Sequence, residues 1–444
     1  MFEEVKALLE KKDYASIRAL LEDENVVDIA ELFEELSREE GIVMFRLLPK
    51  NIAADVFSYL SVEVEQMLIE SLSDSEIGYI IDELFSDDAV DLLEEMPASI
   101  VKKVLKNANS DTRQAINHLL KYPEDSAGSN MTVEFVDLRP TMTVREAIRR
   151  IRQIGIDKET INTCYVIDEQ RHLLGIVSSR QLLLHGSSTL ISDIMNENFI
   201  KVQTLEDQEE VARTFQKYDL TVIPVVDNEE RLVGIITVDD VVDILQEETT
   251  EDMEIMAAIS PSEKPYMKTG VFETFKNRIP WLLILMISAT FTGKIIQGYE
   301  DSLAACAVLT AFIPMLMDSG GNSGSQASVS VIRGISLGEI EFRDLPAIVF
   351  KEFRVSILVG GALGVANFFK ILIIDRVSVE VALVVCLTLF VTVIIAKFVG
   401  CTLPMLAKKI GFDPAIMASP FITTIVDALS LVVYFAIATT ILQI

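Results

Sequence analysis

Hydrophobic positions change their period three times along the chain. Over residues 1–127 they recur at helical spacing, as in Ile29, Leu32, Phe33 and Leu36. Breaks fall about every twelve residues, at Leu36-Ser37, Leu48-Pro49, Leu60-Ser61, Leu72-Ser73, Phe85-Ser86 and Met96-Pro97. Two such intervals make a helix pair that buries its apolar face only against its neighbours, so the pattern predicts a small helical solenoid. From 128 to 248 the apolar runs shorten into strands. Cys164-Tyr165-Val166-Ile167-Asp168 precedes Gly175-Ile176-Val177-Ser178, and Ile223-Pro224-Val225-Val226-Asp227 precedes Gly234-Ile235-Ile236-Thr237. The copies stand 59 residues apart, and each Asp lies seven residues before its Gly. Each copy predicts a β-hairpin followed by a helix, with an upstream helix (Val144 to Ile151; Val211 to Tyr218) completing the unit. Residues 239–279 predict an acidic connector. Beyond it lie five apolar stretches, at about 279–297, 303–332, 346–374, 379–407 and 415–443, each near the twenty or so residues a membrane span needs.

Charge sharpens this division. From Val271 onward 12 basic residues balance 12 acidic ones, so the whole net charge of −29 lies before it. Such acidity excludes a nucleic-acid footprint and describes a part that repels itself unless cations bind. Cys164, Cys306, Cys386 and Cys401 have no paired spacing, and only His118, His172 and His185 supply imidazole, so neither a disulfide frame nor a zinc site is expected. The opening MFEEVKALLEKKD lacks the apolar core of a signal peptide. No Gly-x-x-x-x-Gly-Lys-Ser/Thr loop occurs, which argues against an ATP-driven pump. Basic residues near the span ends set the orientation. Lys264, Lys268, Lys276, Arg278, Arg333, Arg343, Lys351, Arg354, Lys408 and Lys409 fall on one side, against Lys294, Lys370 and Arg376 on the other. This expects a cytosolic N-terminus and an external C-terminus.

The unusual chemistry sits in the second span. Thr310 to Arg333 reads TAFIPMLMDSGGNSGSQASVSVIR, with a helix breaker at Pro314 and an acid at Asp318. Loose backbone at membrane depth needs protein or water around it, so the stretch is expected to be non-helical and to line a polar path with Pro314, Asp318, Gly321, Asn322, Gly324 and Gln326. The competing reading is a Gly/Ser loop outside the membrane. Asp427, in Pro420-Phe421-Ile422-Thr423-Thr424-Ile425-Val426-Asp427, is a second intramembrane acid. It either faces that path together with Thr423 and Thr424 or pairs with Lys397. Carboxylates and amide or carbonyl oxygens without Cys or His are ligands for hard cations, and a wide path with few acids suits Mg²⁺, which keeps its waters. The connector carries eight carboxylates in sixteen positions: Asp239, Asp240, Asp243, Glu247, Glu248, Glu251, Asp252 and Glu254. Asp240, Asp243 and Glu247 share one helix face.

The twofold hairpin repeat resembles a tandem pair of CBS domains. Such pairs often bind adenine nucleotides through Ser/Thr-x-x-Asp, which Thr237 and Asp240 match; the first copy has Ser178 but Gln181 in place of the acid. The whole chain, with PMLMDSGGNSGSQAS and TTIVD in the membrane part, resembles the MgtE family of magnesium channels. The resemblance implies a multidomain architecture: an all-α helical solenoid N-domain (1–127), α/β tandem CBS domains (128–190 and 191–248), a connecting plug helix (249–279) and a five-helix transmembrane domain (280–444). It further implies a non-enzymatic homodimer in the inner membrane, in contact with lipid, with a pore built from the second and fifth spans. Asp427 matches the pore aspartate and Asp413 an acid near the cytosolic exit. Asp88, Asp91, Asp240, Asp243, Glu247, Glu248, Glu251 and Asp252 resemble a Mg²⁺-sensing cluster that closes the channel, with ATP at the CBS pair. A secondary divalent-cation exchanger and a nucleotide-sensing membrane protein without transport remain the alternatives.

Overall fold

The computed structural model describes residues 2–22, 24–262 and 266–443. Lys264, counted above among the basic flanking residues, lies outside them. The chain divides into two compact units, Met1–Leu245 and Gln246–Ile444.

The first unit opens with ten helices, from α1 (Phe2–Lys11) to α10 (Ser110–Leu119), each of 9 or 10 residues. Their ends fall at the breaks seen in the sequence, for local reasons. Ser37 and Ser73 start α4 (Arg38–Leu47) and α7 (Asp74–Glu83) with reciprocal capping boxes to Glu40 and Glu76. Pro49 and Pro97 precede α5 (Lys50–Ser58) and α9 (Ala98–Asn107). With α3 (Val26–Glu35), these odd-numbered helices stack in succession. The twelve-residue repeat becomes a ladder of aromatic rings: Phe33 meets Phe45 and Phe45 meets Phe57 edge to face, at 6.2 and 5.9 Å.

Two three-stranded sheets follow, β1 (Asp137–Leu138), β2 (Thr163–Ile167), β3 (Leu173–Ser178) and β4 (Val202–Gln203), β5 (Val222–Val226), β6 (Leu232–Thr237), with the same strand order in each. In both, the first pair is parallel and the second antiparallel, with Val166 opposite Gly175 and Val225 opposite Gly234. The repeated Asp closes each hairpin turn. Asp168 Oδ1 accepts from the Gln170 and His172 amides at 2.8 and 2.9 Å, and Asp227 Oδ1 from those of Glu229 and Arg231 at the same distances. The repeated Gly admits a crossing strand from the other copy. A Cβ on Gly234 would stand 2.8 Å from Thr132 O, and one on Gly175 would stand 3.0 Å from Asn196 O. Thr132 accordingly bridges to Ile235, and Asn196 to Ile176. Helices α11 (Val144–Ile154), α12 (Ser179–Leu184) and α13 (Gln208–Tyr218) complete the pair. Helix α14 (Val238–Met256) leaves β6 and runs into the second unit, so the connector is helical to Met256 and interrupted before Val271.

The second unit holds α15 (Val271–Gly298), α16 (Glu300–Ala305), α17 (Ile313–Ser336), α18 (Leu345–Lys370), α19 (Val379–Lys409) and α20 (Ser419–Leu442). Four helical stretches among the described residues are long and apolar enough to cross a membrane: Val271–Gly298, Phe342–Asp375, Val379–Lys409 and Pro414–Leu442. Helix α17 has 24 residues, but Asp318, Asn322 and Gln326, together with its glycines and serines, keep it out of that set. The stretch expected as its first part, from 303, is instead the end of α16 and a 3-10 turn over Ala307–Phe312. Helix α19 is the hub, packed against α17, α18 and α20.

The structure corrects one expectation about this unit. The Gly/Ser stretch is continuous helix, and Pro314 starts it rather than breaking it, because a first-turn proline lacks only an N–H that has no partner there anyway. The glycines serve close packing. A Cβ on Gly320 would meet Thr392 Cγ2 at 2.6 Å, one on Gly324 would meet Ile422 Cγ2 at 2.8 Å, and one on Gly400 would run into Gly324 O.

Candidate ion path and acidic cluster

Close packing on one side of α17 leaves its other side polar. Gly320, Ser323, Gly324, Ala327 and Ser328 are buried, whereas Asp318, Asn322, Gln326, Ser330 and Arg333 are exposed. The exposed set climbs the helix at steps of four residues, and three at the last, one stripe along one face. Helix α20 lies beside it: a Cβ on Gly321 would touch Thr423 Cγ2 at 2.8 Å. Thr423 and Thr424 donate their hydroxyls to Pro420 O at 2.9 and 3.0 Å, leaving the half-buried Asp427 one turn further on. Asp318 is its charged neighbour. Lys397, the alternative partner of Asp427, is taken: its ammonium meets Glu352 at 3.3 Å, with side chains only 6% and 15% exposed. Asp413 caps the 3-10 turn Pro414–Met417 before α20, accepting from the Ala415 amide at 2.7 Å. At this same end, Ile255 and Met256 of α14 pack on Ile332, Ala415 and Ala418, and Asp252 lies 3.4 Å from Ser336 Oγ.

In the first unit the acids gather where α8 (Ser86–Glu94) approaches the start of α14. Burial, then the charges of Asp240, Asp239 and Asp55, push the Asp88 carboxyl up to about 6. Burial with Asp240, Asp239, Asp88 and Glu134 pushes Glu159 up to about 7. Asp87, 8% exposed, is raised well above the carboxylate range by burial and then by Asp240, Asp88 and Glu159. Burial, then Glu95, Asp88 and Asp91, pushes Glu65 up to about 8. Asp243 is raised by burial and Asp239. Among the described residues no three acidic, His or Cys side chains close into a metal cage, and the carboxylates raise one another as a repulsive field. Carboxylates in such a field are the donors a hard cation would draw together.

Asp88, Asp240 and Asp243 were expected from the sequence, and the structure places them in this field. Glu159, Asp55, Glu65 and Glu134 were not, because each stands in its own segment without a motif, and Asp87 lies in the same run as Asp88 with nothing in the sequence to mark it as buried. Glu134 ties the helical and sheet parts together by accepting from the Ser86 hydroxyl at 2.7 Å and the Thr132 hydroxyl at 2.6 Å. Thr237 and Asp240 have a local task as well. The Thr237 amide and hydroxyl donate to Asp240 Oδ2 at 3.2 and 2.7 Å, and Ser178 with Gln181 forms the same helix cap in the first copy. Glu247, Glu248 and Glu251 continue along α14 in the second unit.

Residues 313–437, which span α17 to most of α20, match the MgtE divalent cation transporter family. Residues 24–125 match the MgtE intracellular N domain, and 130–187 and 191–247 match CBS domains. The magnesium transporter MgtE of Thermus thermophilus is 36% identical, over 98% of this chain and 97% of its own. The chain belongs to the MgtE family. The Bacillus subtilis magnesium transporter MgtE is 33% identical, over 91% of this chain and 92% of its own. Among solved structures, the cytosolic domain of the Mg²⁺ channel MgtE in complex with ATP is 40% identical, with a TM-score of 0.53 over 55% of this chain and all of that one. The soluble part of a magnesium transporter is 32% identical, with the same TM-score over 56% of this chain and 97% of that one. As an MgtE-family member with several apolar helices, the chain is a multi-pass membrane protein with an N-terminal helical domain and tandem CBS domains.

Proposed function

We propose that this protein is a Mg²⁺ channel for magnesium uptake, closed by Mg²⁺ bound to its cytosolic acids. The observation that carries this reading is the polar stripe of α17 beside Asp427. Asp318, Asn322 and Gln326 are exposed on a helix packed among apolar spans, and such groups at membrane depth require water or protein around them. A second copy facing the stripe would enclose a hydrated path, so the working unit is a homodimer with α17 as the remaining span, giving five. Asp427 draws in Mg²⁺ with its waters, while Asn322, Gln326, Thr423, Thr424 and Asp413 supply neutral and acidic oxygens along the way. Pro314, Gly321 and Gly324 shape the helix that carries the stripe.

The gate follows from the charge. Without Mg²⁺ the Asp88, Asp91, Asp240 and Asp243 carboxylates repel one another. Bound Mg²⁺ reverses that, and with Glu247, Glu248, Glu251 and Asp252 it holds the connecting segment 249–279 as a plug. A full swing from 1:99 to 99:1 takes about 5.5 kcal/mol of differential binding, within reach of several modest sites acting together. ATP at the CBS pair, held by Thr237 and Asp240, would add a second input; the ATP complex of the 40% identical relative supports it. The membrane is the inner membrane, with the N-terminus cytosolic and the C-terminus outside.

The test is Mg²⁺-dependent current from the purified protein in planar bilayers. Asp427→Ala is expected to lower it at least about 100-fold, and Asp427→Asn about 10-fold or more, corresponding to about 2.7 and 1.4 kcal/mol of lost ion capture. Undiminished current in a folded Asp427→Ala dimer would remove Asp427 from the path, and Mg²⁺ flux without current would favour the exchanger.

A further inference from the structure

Helix α15 is longer than its membrane task requires. Its 28 residues rise about 42 Å, whereas about 20 residues cross the hydrocarbon. The surplus lies at its start, since Glu273, Lys276, Asn277 and Arg278 all precede an uncharged run that begins at Ile279. This surplus is amphipathic. Val271, Phe272 and Phe275 stand at positions i, i+1 and i+4, and are 85%, 89% and 59% exposed. Tyr266 and Met267, just before the helix, are 75% and 90% exposed. Single exposed apolar residues are ordinary, but five large ones within ten positions form a patch, and patches mark interfaces.

Charge says what the patch meets. Residues 239–254 carry eight carboxylates and no basic residue, whereas 266–278 carry Lys268, Lys276 and Arg278 against Glu273 alone. Positive charge is therefore concentrated in the short stretch where the chain enters the membrane. Trp281, the one tryptophan of the chain, lies less than one turn beyond Arg278 and is half-buried. Indole rings settle at the headgroup level. Val271, Phe272 and Phe275 lie on the helix that continues into the membrane span, and Tyr266 and Met267 lie in the turn just before it.

We propose that residues 266–278 with Trp281 form a docking surface for the bilayer face, with the apolar side chains at the headgroup boundary and Lys268, Lys276 and Arg278 selecting anionic phospholipid headgroups. The proposal rests on the membrane-spanning character of α15 and on nothing about ion conduction. An anionic surface attracts a basic segment beside a span, and the attraction weakens with salt. The surface also anchors the end of the connector that leads from the acidic helix α14, so lipid composition would set how firmly that end is held.

The lone tryptophan provides the test. The full-length protein is placed in vesicles of phosphatidylcholine and phosphatidylglycerol in equal amounts, with brominated acyl chains on one lipid at a time, and Trp281 fluorescence is read. Brominated phosphatidylglycerol is expected to quench about twofold more than brominated phosphatidylcholine. Lys268→Gln/Lys276→Gln/Arg278→Gln, or high salt, should remove the excess. Equal quenching by the two lipids in the parent protein would overturn the proposal, and so would an undiminished excess in the triple variant. The parent comparison needs no substitution and so does not depend on the variant folding.

Discussion

Lys397 and Glu352 show how a single contact changes the reading of a residue elsewhere. An acid in an apolar segment is tolerated when a base neutralises it, and Lys397 was a candidate base for Asp427. Its pairing with Glu352 ties α18 to α19 instead and leaves Asp427 to the polar stripe. A buried pair is weak as a source of stability but costly to break on one side. Lys397→Met is therefore expected to destabilise the membrane unit by about 3–5 kcal/mol, because Glu352 stays buried without a counter-charge. The double variant Lys397→Met/Glu352→Gln should recover most of that loss. Thermal unfolding of detergent-purified protein measures both, and a double variant no more stable than the single one would refute the pairing argument. The acidic field has the opposite legibility. Asp88 and Asp240 are visible as members of acidic runs, but Glu159 and Glu65 are ordinary surface-type residues in the sequence. Only burial and distant carboxylates make them unusual.

Among the elements, α17 was the hardest to read. Glycine weakens an isolated helix, and Gly320, Gly321 and Gly324 beside Ser and Asn read as a break. What overrides propensity is the closeness of α19 and α20, which only a missing Cβ allows. Gly400→Ala tests this, since its Cβ would run into the backbone oxygen of Gly324. It should cost about 1–3 kcal/mol by overpacking and reduce Mg²⁺ flux together with thermal stability. Gly361→Ala in α18 meets nothing within 4 Å and should change neither. If Gly400→Ala behaves like Gly361→Ala in both assays, the backbone contact between α17 and α19 is not formed. The short helices of the first unit were easier to read, because Ser37, Pro49, Ser73 and Pro97 act within one turn of where they stand.

Across the whole molecule, the excess acid makes a pH prediction for the soluble part. The carboxyls of Asp88, Glu159 and Glu65 titrate higher in the fold than their ordinary values of 3.8 to 4.5. Their raised values mean that the folded state holds protons that the unfolded state has released. Their contribution is fully present below about pH 4 and is lost as pH rises through about 6, 7 and 8. A fragment ending at Leu245, comparable to the cytosolic domain solved for a relative, should therefore melt lower at pH 8 than at pH 6 in chelator, by about 2–4 °C for each kcal/mol lost. Mg²⁺ at 100 times its dissociation constant should return about 2.7 kcal/mol at pH 8. A melting temperature that is flat in pH and blind to Mg²⁺ would remove the field as a sensor. The linear chain was enough to establish the solenoid, the twofold repeat, the acidic connector and the apolar spans, because caps, turns and hydrophobic period act between neighbours. It was also enough to single out Asp427 and the polar residues from Asp318 to Gln326 as the unusual chemistry, though not their arrangement on one helix face. The fold was needed to show that α17 is a continuous helix, that Lys397 belongs to Glu352, and that Asp87, Glu159 and Glu65 share one field. Those facts depend on packing distances and on charges brought together from segments far apart along the chain, and no local pattern encodes either.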